Sequence, residues 1–490
     1  MRQSMRWMIV VAGGLAFPAV AQEEPAVPAV GEAIEVRVVN VEAVVTGASG
    51  ERVRGLAAAD FRLLVDGREV PIEYFSEVMD GTAAAGEEVG QSYLVYLDDS
   101  FSLANRRNDL LEKLERDLTL LRPVDRMAVL AFDGAHVETL CGWTGDRDRL
   151  RTIFQMARQR PALGGRMLAH QAALQADVDW IKDNAASFEA EEVVAILEAL
   201  SHRISPEART QLGRTAGMAA AALRGFETPP GRKVLFFMSA AWSLSVEPEL
   251  YGPLLEAANR LGYTLYPTDA SLSDAPLVTA LDDLARATGG RVMVSAKNDA
   301  FRQVVADAGT YYGIGFTPTW KADDRSHAIT VEVRRPGLHV RSRAGFADKS
   351  PSTETARRAE SVLLFGGPAE DRRLIVELGA PVRHRKSLDV PVMLGVPVEA
   401  LALQPQGTGY LAEVPLAVAA ADENGRRADL PALRLQAQMA TVPPARTYAR
   451  FRTVLALRET PQQLVFTVRD PVTGRVLWGR AEIAPDRGGK

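Results

Sequence analysis

Ser92-Tyr93-Leu94-Val95-Tyr96-Leu97-Asp98-Asp99-Ser100-Phe101-Ser102 is the stretch that decides the fold. Tyr93–Leu97 is near-continuously apolar, which marks a strand covered on both faces rather than one with a wet side. Polar residues begin abruptly at Asp98. Leu110, Leu111, Leu114, Leu118 and Leu121 then recur at helical spacing, and Pro123 ends that helix.

Downstream the alternation continues. Met127–Phe132, Val234–Met238 and Thr264–Tyr266 read as further apolar strands. Segments near Glu247–Leu261, Pro276–Ala287 and Asn298–Gly309 read as helices, Arg291–Val294 as a strand, and Tyr311–Phe316 as the closing strand. Strands alternating with helices predict an α/β fold with a doubly wound, mostly parallel sheet over residues 92–346. Arg166–Phe226 lacks a strand pattern and reads as a helical insertion (166–226) at the rim of that sheet. Its role is packing or, since long insertions often carry function, covering a partner site.

Outward from this core, Ile34–Phe75 alternates apolar and polar residues, giving a small N-terminal β module over 33–78. Asp80–Gly90 reads as a Gly/Ala/Glu linker and Ala347–Arg358 as a polar one. Residues 360–485 carry short strands with turn signals at Asn424-Gly425 and Pro471–Gly474, which predicts a β-sandwich-like domain.

The N-terminus has Arg2 and Arg6, an apolar stretch from Trp7 to Val20, and Ala19-Val20-Ala21 before polar Gln22. This is the pattern of a signal peptide over 1–21, so the chain is expected to be exported, to the periplasm or beyond the cell. No later apolar run is long enough to be a transmembrane helix. A formal charge of −5 over 490 residues gives no sign of a nucleic-acid partner. Cys141 is the only cysteine, so no internal disulfide forms and stability must rest on packed cores. Flanked by apolar residues, it reads as a small core residue.

In a doubly wound sheet, ligands bind at the carboxyl ends of strands near the switch point. Asp98, Ser100 and Ser102 put a carboxylate and two hydroxyls on one loop at such an end. These are the oxygen types that a hard divalent cation takes, with water or a partner's carboxylate completing the shell. The competing reading of Asp and Ser here is helix capping. The six histidines are scattered without metal-binding spacing, and there is no Gly-x-Ser-x-Gly elbow or phosphate-binding Gly-Lys-Ser/Thr loop.

Several motifs together resemble a known family: Val53-Arg-Gly-Leu56 with Asp60-Phe61 and Val65-Asp66-Gly67; Ala131-Phe132-Asp133; Leu284-Ala-Arg-Ala-Thr-Gly-Gly290; Tyr311-Tyr312-Gly-Ile-Gly-Phe316-Thr-Pro318; and Arg341-Ser-Arg343-Ala-Gly345-Phe346. From about Ile34 to Phe346 the chain resembles von Willebrand factor A domains, of the "VWFA-related" type found in acidobacterial proteins. The resemblance implies that Asp98-x-Ser100-x-Ser102 is the first part of a metal-ion-dependent adhesion site, for Mg²⁺ or another divalent cation.

Two ligand positions of that site depart from the family pattern. Gly164-Gly165 is followed by Arg166 instead of Thr, and Val234–Met238 runs into Ser239-Ala240-Ala241 with no Asp. Arg166 would then stand in the metal's place, pairing with Asp98 as a bidentate, permanently charged fork. With Arg166, Ser239 and Asp269 on the same rim, the expectation is a non-enzymatic adhesion-type protein with a degenerate site, binding a protein or a cell-surface polymer. The other classes are an envelope structural protein with an inactive site and a carboxylate-based hydrolase. No nucleophile–base pair supports the last.

Overall fold

In the computed structural model the alternating segment near the N-terminus and the unbroken apolar run at Tyr93–Leu97 go to different layers. The structure describes residues 38–484, apart from 85, 166–175, 177–179, 182, 185–186, 188, 190–191, 193–205, 227, 240–247, 270–279, 294–299, 321, 368, 385–386, 402, 423–426, 431–432, 445 and 470–475. The chain divides into two compact units, one spanning Val36–Asp348 and the other containing Lys349–Lys490.

In chain order the first unit opens with β1 (Val39–Thr46), β2 (Phe61–Val65), β3 (Arg68–Val70), β4 (Tyr74–Met79) and β5 (Thr82–Ala83). There follow β6 (Gln91–Asp98), α1 (Ala104–Arg116), β7 (Arg126–Phe132), β8 (Val137–Thr144), α2 (Arg147–Arg158) and α3 (Pro206–Gly225). Then come β9 (Arg232–Ser239), α4 (Pro248–Leu261), β10 (Tyr263–Asp269), α5 (Ala280–Ala287) and α6 (Ala300–Gly309). The unit closes with β11 (Tyr311–Phe316), β12 (Arg325–Val333), β13 (His339–Arg341) and β14 (Gly345–Asp348).

The central sheet has the order β10-β9-β6-β7-β8. Four strands are parallel, and β8 is an antiparallel edge. Every residue of β6 is buried, as its composition requires of a strand with both faces covered. From β6 the chain steps to β7 on one side, then returns to β9 on the other. The switch point therefore lies between the carboxyl ends of β6 and β9. On one face Phe301 of α6 meets Tyr93 edge-on, and on the other Tyr96 stacks on Phe237.

Several sequence expectations need correction. Tyr311–Phe316 is not a strand of the parallel sheet: β11 pairs antiparallel with both β1 and β4. An apolar run reports burial but not strand direction, and β11 is buried in another layer. Its two glycines make that pairing possible. A Cβ at Gly313 would lie 2.6 Å from Ser76 Oγ, and one at Gly315 would lie 2.9 Å from the Tyr74 Cβ. The strand read at Arg291–Val294 reduces, among described residues, to one parallel bridge between Met293 and Thr268. β8 was not read as a strand because it is an edge with a single buried residue, Cys141.

The segments before and after the α/β layer build one β-sandwich. Its sheets run β13-β1-β11-β4-β5 and β14-β12-β2-β3, so each mixes early and late strands. Their inner faces share a core of Val41, Phe61, Leu63, Tyr312, Ile314, Ile329, Val331 and Phe346. The α/β layer is thus inserted in a β-sandwich rather than following a finished module. Of the helical stretch read at 166–226, the described part is chiefly α3. Its Ala-rich run Ala219–Ala222 is buried, so it packs as a core helix leading into β9.

Asp307 of α6 fastens the two layers. It is 1% exposed and takes Arg341 of β13 at 2.6 and 2.7 Å, Arg52 of the β1–β2 loop, and the Tyr266 hydroxyl at 2.6 Å. Burial alone would raise its pKa, but the Arg341 and Arg52 guanidiniums more than offset this and hold the carboxyl well below the usual range.

The second unit is mostly β, with two antiparallel sheets. Ser387–Pro397 pairs with Ile375–Leu378, Val382–His384 and Tyr448–Leu457. Gly409–Asp422 and Gln462–Arg469 centre a second sheet, and the two share a core including Val392, Leu394, Val414, Leu464 and Phe466. The turn signals at Asn424-Gly425 and Pro471–Gly474 lie outside the described residues. The linker read at 347–358 is instead the start of α7 (Pro351–Phe365), capped by Ser350 with Pro351 in its first turn. Val362 and Leu363 of α7 pack on Val465 and Trp478. Among described residues no helix is long and apolar enough to cross a membrane.

Asp307→Asn leaves the half-buried Arg52 and Arg341 facing a neutral amide. Urea unfolding should show a loss of about 3–5 kcal/mol. A loss under about 1 kcal/mol would remove Asp307 as the fastener.

Candidate functional site

β6 ends at Asp98 and β9 at Ser239, side by side at the switch point. Asp98 is fully buried. Its Oδ1 accepts the Ser100 hydroxyl at 2.5 Å and the Ser100 N–H at 3.2 Å, and its Oδ2 accepts the Ser239 hydroxyl at 2.6 Å. Asp98 has no ion pair among the described residues. Burial pushes its carboxyl from the ordinary 3.8 up to about 6. The Ser100 and Ser239 hydroxyls and the Phe101 and Ser100 N–H groups hold it from rising further.

Ser102 is also fully buried, yet its hydroxyl has no hydrogen-bond partner. The Tyr96 hydroxyl, two residues before Asp98 on the same face of β6, is likewise buried and unpartnered. Burial and the nearby Asp98 and Asp99 charges push its pKa well up, so it stays a neutral donor. An orphaned buried hydroxyl costs about 1–3 kcal/mol of desolvation. Two on one strand and its loop are a concentrated cost at the strand end.

Arginine does enter this loop, at the neighbouring carboxylate. Arg107 of α1 donates to Asp99 Oδ1 at 2.6 Å, and Arg160 to Asp99 Oδ2 at 2.9 Å. Arg107 is fully buried and also donates to the Arg160 carbonyl at 2.8 Å. Arg160 reaches on to Glu138 at 2.5 Å. Arg166 lies outside the described residues, so its expected pairing with Asp98 does too. Sequence reading missed Asp99, Arg107 and Arg160. Only the Asp98-Asp99 doublet hinted that one of two adjacent buried carboxylates would need a cation.

The loop read as a second contributor does lie against the first. Leu163 N–H donates to the Asp99 carbonyl at 2.8 Å and Gly164 N–H to the Ser102 carbonyl at 3.2 Å. A Cβ on Gly164 would stand 2.5 Å from the Phe101 carbonyl carbon, whereas one on Gly165 meets nothing within 4 Å. A third loop closes beside Ser100. Gly134, in the left-handed region at φ 100°, accepts Gln211 of α3 through its carbonyl at 3.2 Å. Asp269 ends β10 in register with Ser239, which puts its backbone on the same rim.

Asp98 with the hydroxyls of Ser100, Ser102 and Ser239 makes a set of hard oxygen donors. The unpartnered Ser102 oxygen and the unpaired charge on Asp98 both suit a small cation. One carboxylate, with both oxygens already hydrogen-bonded, supplies little charge to hold it.

No family model and no curated protein matches the sequence. Among solved structures the chain is similar to the TFIIH p34 N-terminal domain, at 14% identity over 44% of this chain and 97% of that one, TM-score 0.22. It is similar to the SpRpn10 VWA domain at 13% identity over 40% and 94%, TM-score 0.18. The pilus adhesin SpaC from Lactobacillus rhamnosus GG is similar at 7% identity over 86% and 60%, TM-score 0.27. TM-scores this low do not establish a shared fold.

Two outcomes test the site. Because the folded state binds the Asp98 proton more tightly than the unfolded chain does, stability should fall as pH rises from about 4 to about 6. The fall should be on the order of 3 kcal/mol, and Asp98→Asn should remove that slope. An unchanged slope in urea unfolding contradicts the burial argument. Gly164→Ala should lose about 1–3 kcal/mol by overpacking, while Gly165→Ala should be neutral or slightly stabilising. Equal losses would mean that the two loops are not packed as described.

Proposed function

We propose that this chain is an exported, non-enzymatic binding protein of the von Willebrand factor A type, with a degenerate adhesion site. The strand-end rim that carries Asp98, Ser100, Ser102 and Ser239, with Asp269 ending the next strand, contacts a protein or a cell-surface polymer. The observation that carries this reading is the Ser102 hydroxyl, buried and unsatisfied beside a carboxylate with no ion pair among the described residues. A purely architectural rim would have no reason to retain two such groups together, since replacing Ser102 with Ala would relieve the strain. Export is supported by the Arg2–Ala21 sequence pattern.

A divalent cation, where bound, would be held by Asp98, Ser100 and Ser102 and would supply a fixed positive charge toward a partner's carboxylate. With so little charge in the donor set, calorimetry should give at most weak, millimolar Mg²⁺ binding. Micromolar binding abolished by Asp98→Ala would contradict the degenerate reading. A hydrolase is the weaker reading: Ser100 and Ser239 both donate to the one carboxylate of Asp98, and all three are buried away from any substrate in solution.

The decisive comparison uses Ser102→Ala. It should leave the melting temperature unchanged or raise it, while a partner captured from an envelope extract by the wild type is lost. Capture undiminished by Ser102→Ala and Asp98→Ala would move the binding surface to the β-sandwiches.

A further inference from the structure

In the first unit's sandwich, His327 of β12 lies between carboxylates. Its Nδ1 lies 2.7 Å from Asp66 Oδ2 and its Nε2 lies 3.2 Å from Asp323 Oδ1. One ligand atom each from Asp323, His327 and Asp348 falls within 4.8 Å of the others. A neutral imidazole has a single N–H and cannot donate to carboxylates on both sides. The arrangement needs either a second ring proton or a cation at Nε2.

The parts around the ring are fixed. Trp320 lies 4.8 Å from the imidazole and Phe346 stacks on it at 5.2 Å. Trp320 Nε1 donates to Asp348 Oδ2 at 2.9 Å, and Asp348 is 2% exposed. Asp66 sits in a left-handed turn at φ 49° and also accepts the Ala328 N–H at 2.9 Å. A histidine that binds metal through one nitrogen characteristically donates its other N–H to a carboxylate, which sets the tautomer. Asp66 is in that place.

The geometry points to a transition-metal site of the Zn²⁺ class, with Asp323, His327 Nε2 and Asp348 as ligands and Asp66 orienting the ring. One imidazole and two carboxylates suit Zn²⁺, and three protein ligands leave the fourth tetrahedral position to water. Ligand atoms about 2.0–2.2 Å from one ion stand about 3.4 Å apart, so side-chain rotation of roughly an ångström closes the cluster. Bound there, the ion would pin the Trp320–Asp323 loop to β12 and β14. This site is separate from the Asp98 rim and does not depend on it.

Equilibrium dialysis of the full chain against Zn²⁺, with Co²⁺ absorption reporting geometry, tests the assignment. One equivalent of Zn²⁺ and a tetrahedral Co²⁺ spectrum are expected, both lost in His327→Gln and in Asp323→Asn and both kept in Asp98→Ala. Asp66→Asn should weaken Zn²⁺ binding about 10- to 100-fold. Wild type that takes up no stoichiometric Zn²⁺, or Asp323→Asn that binds as tightly as wild type, would overturn it. Asp323 is a third exposed, so that variant remains informative even if His327→Gln fails to fold.

Discussion

Two adjacent carboxylates, Asp98 and Asp99, are buried at the end of the central strand, and much of the rim follows from how each is accommodated. An ionised carboxylate taken out of water needs a cation or several hydrogen-bond donors. Asp99 has two guanidiniums, one from α1 and one from just beyond α2. That pairing draws residues 160–164 against the strand end, where Gly164 lies on Phe101 too closely for any side chain. Asp98 has only hydroxyl and amide donors, so its carboxyl titrates near 6 instead of being held ionised. The rim thus combines a rigid, charge-balanced half with a half whose charge is incompletely met.

The same contrast between met and unmet buried groups appears elsewhere in the unit. Asp307 is as buried as Asp98, but it meets Arg52, Arg341 and the Tyr266 hydroxyl and is held ionised. Those partners come from the sandwich strands and the α/β layer alike, so this cluster serves to join them. Ser102 and Tyr96 have no such partners. Asp307 is satisfied within the fold, whereas Ser102 and Tyr96, at the end of β6, are two of several buried polar groups in the unit without a hydrogen-bond partner.

Much of the parallel layer was legible from Tyr93–Leu97, Met127–Phe132 and Val234–Met238, because strands buried on both faces have a composition that little else in a chain shares. Tyr311–Phe316 has the same composition and was misplaced, since hydrophobicity reports burial but not direction or partner. The discontinuous sandwich was hidden for that reason: β1 finds its neighbour some 270 residues later, at β11. α7 was missed because the polar run before it outweighed the Ser350-Pro351 start signal. At the site, Asp98, Ser100, Ser102 and Ser239 were readable from strand ends and loop chemistry. Arg107 and Arg160 were not, because an arginine on an amphipathic helix or just beyond one reads as a surface residue unless its distant carboxylate is known.

The account turns on the strand-end rim at the Asp98–Ser102 loop being the place kept for an outside group. Amide hydrogen exchange of the full chain, with and without a captured partner, measures this most directly. Protection concentrated in 98–103, 133–136 and 163–165 is the expected result. Protection confined to the sandwich strands, with those loops exchanging as in the free protein, would contradict it.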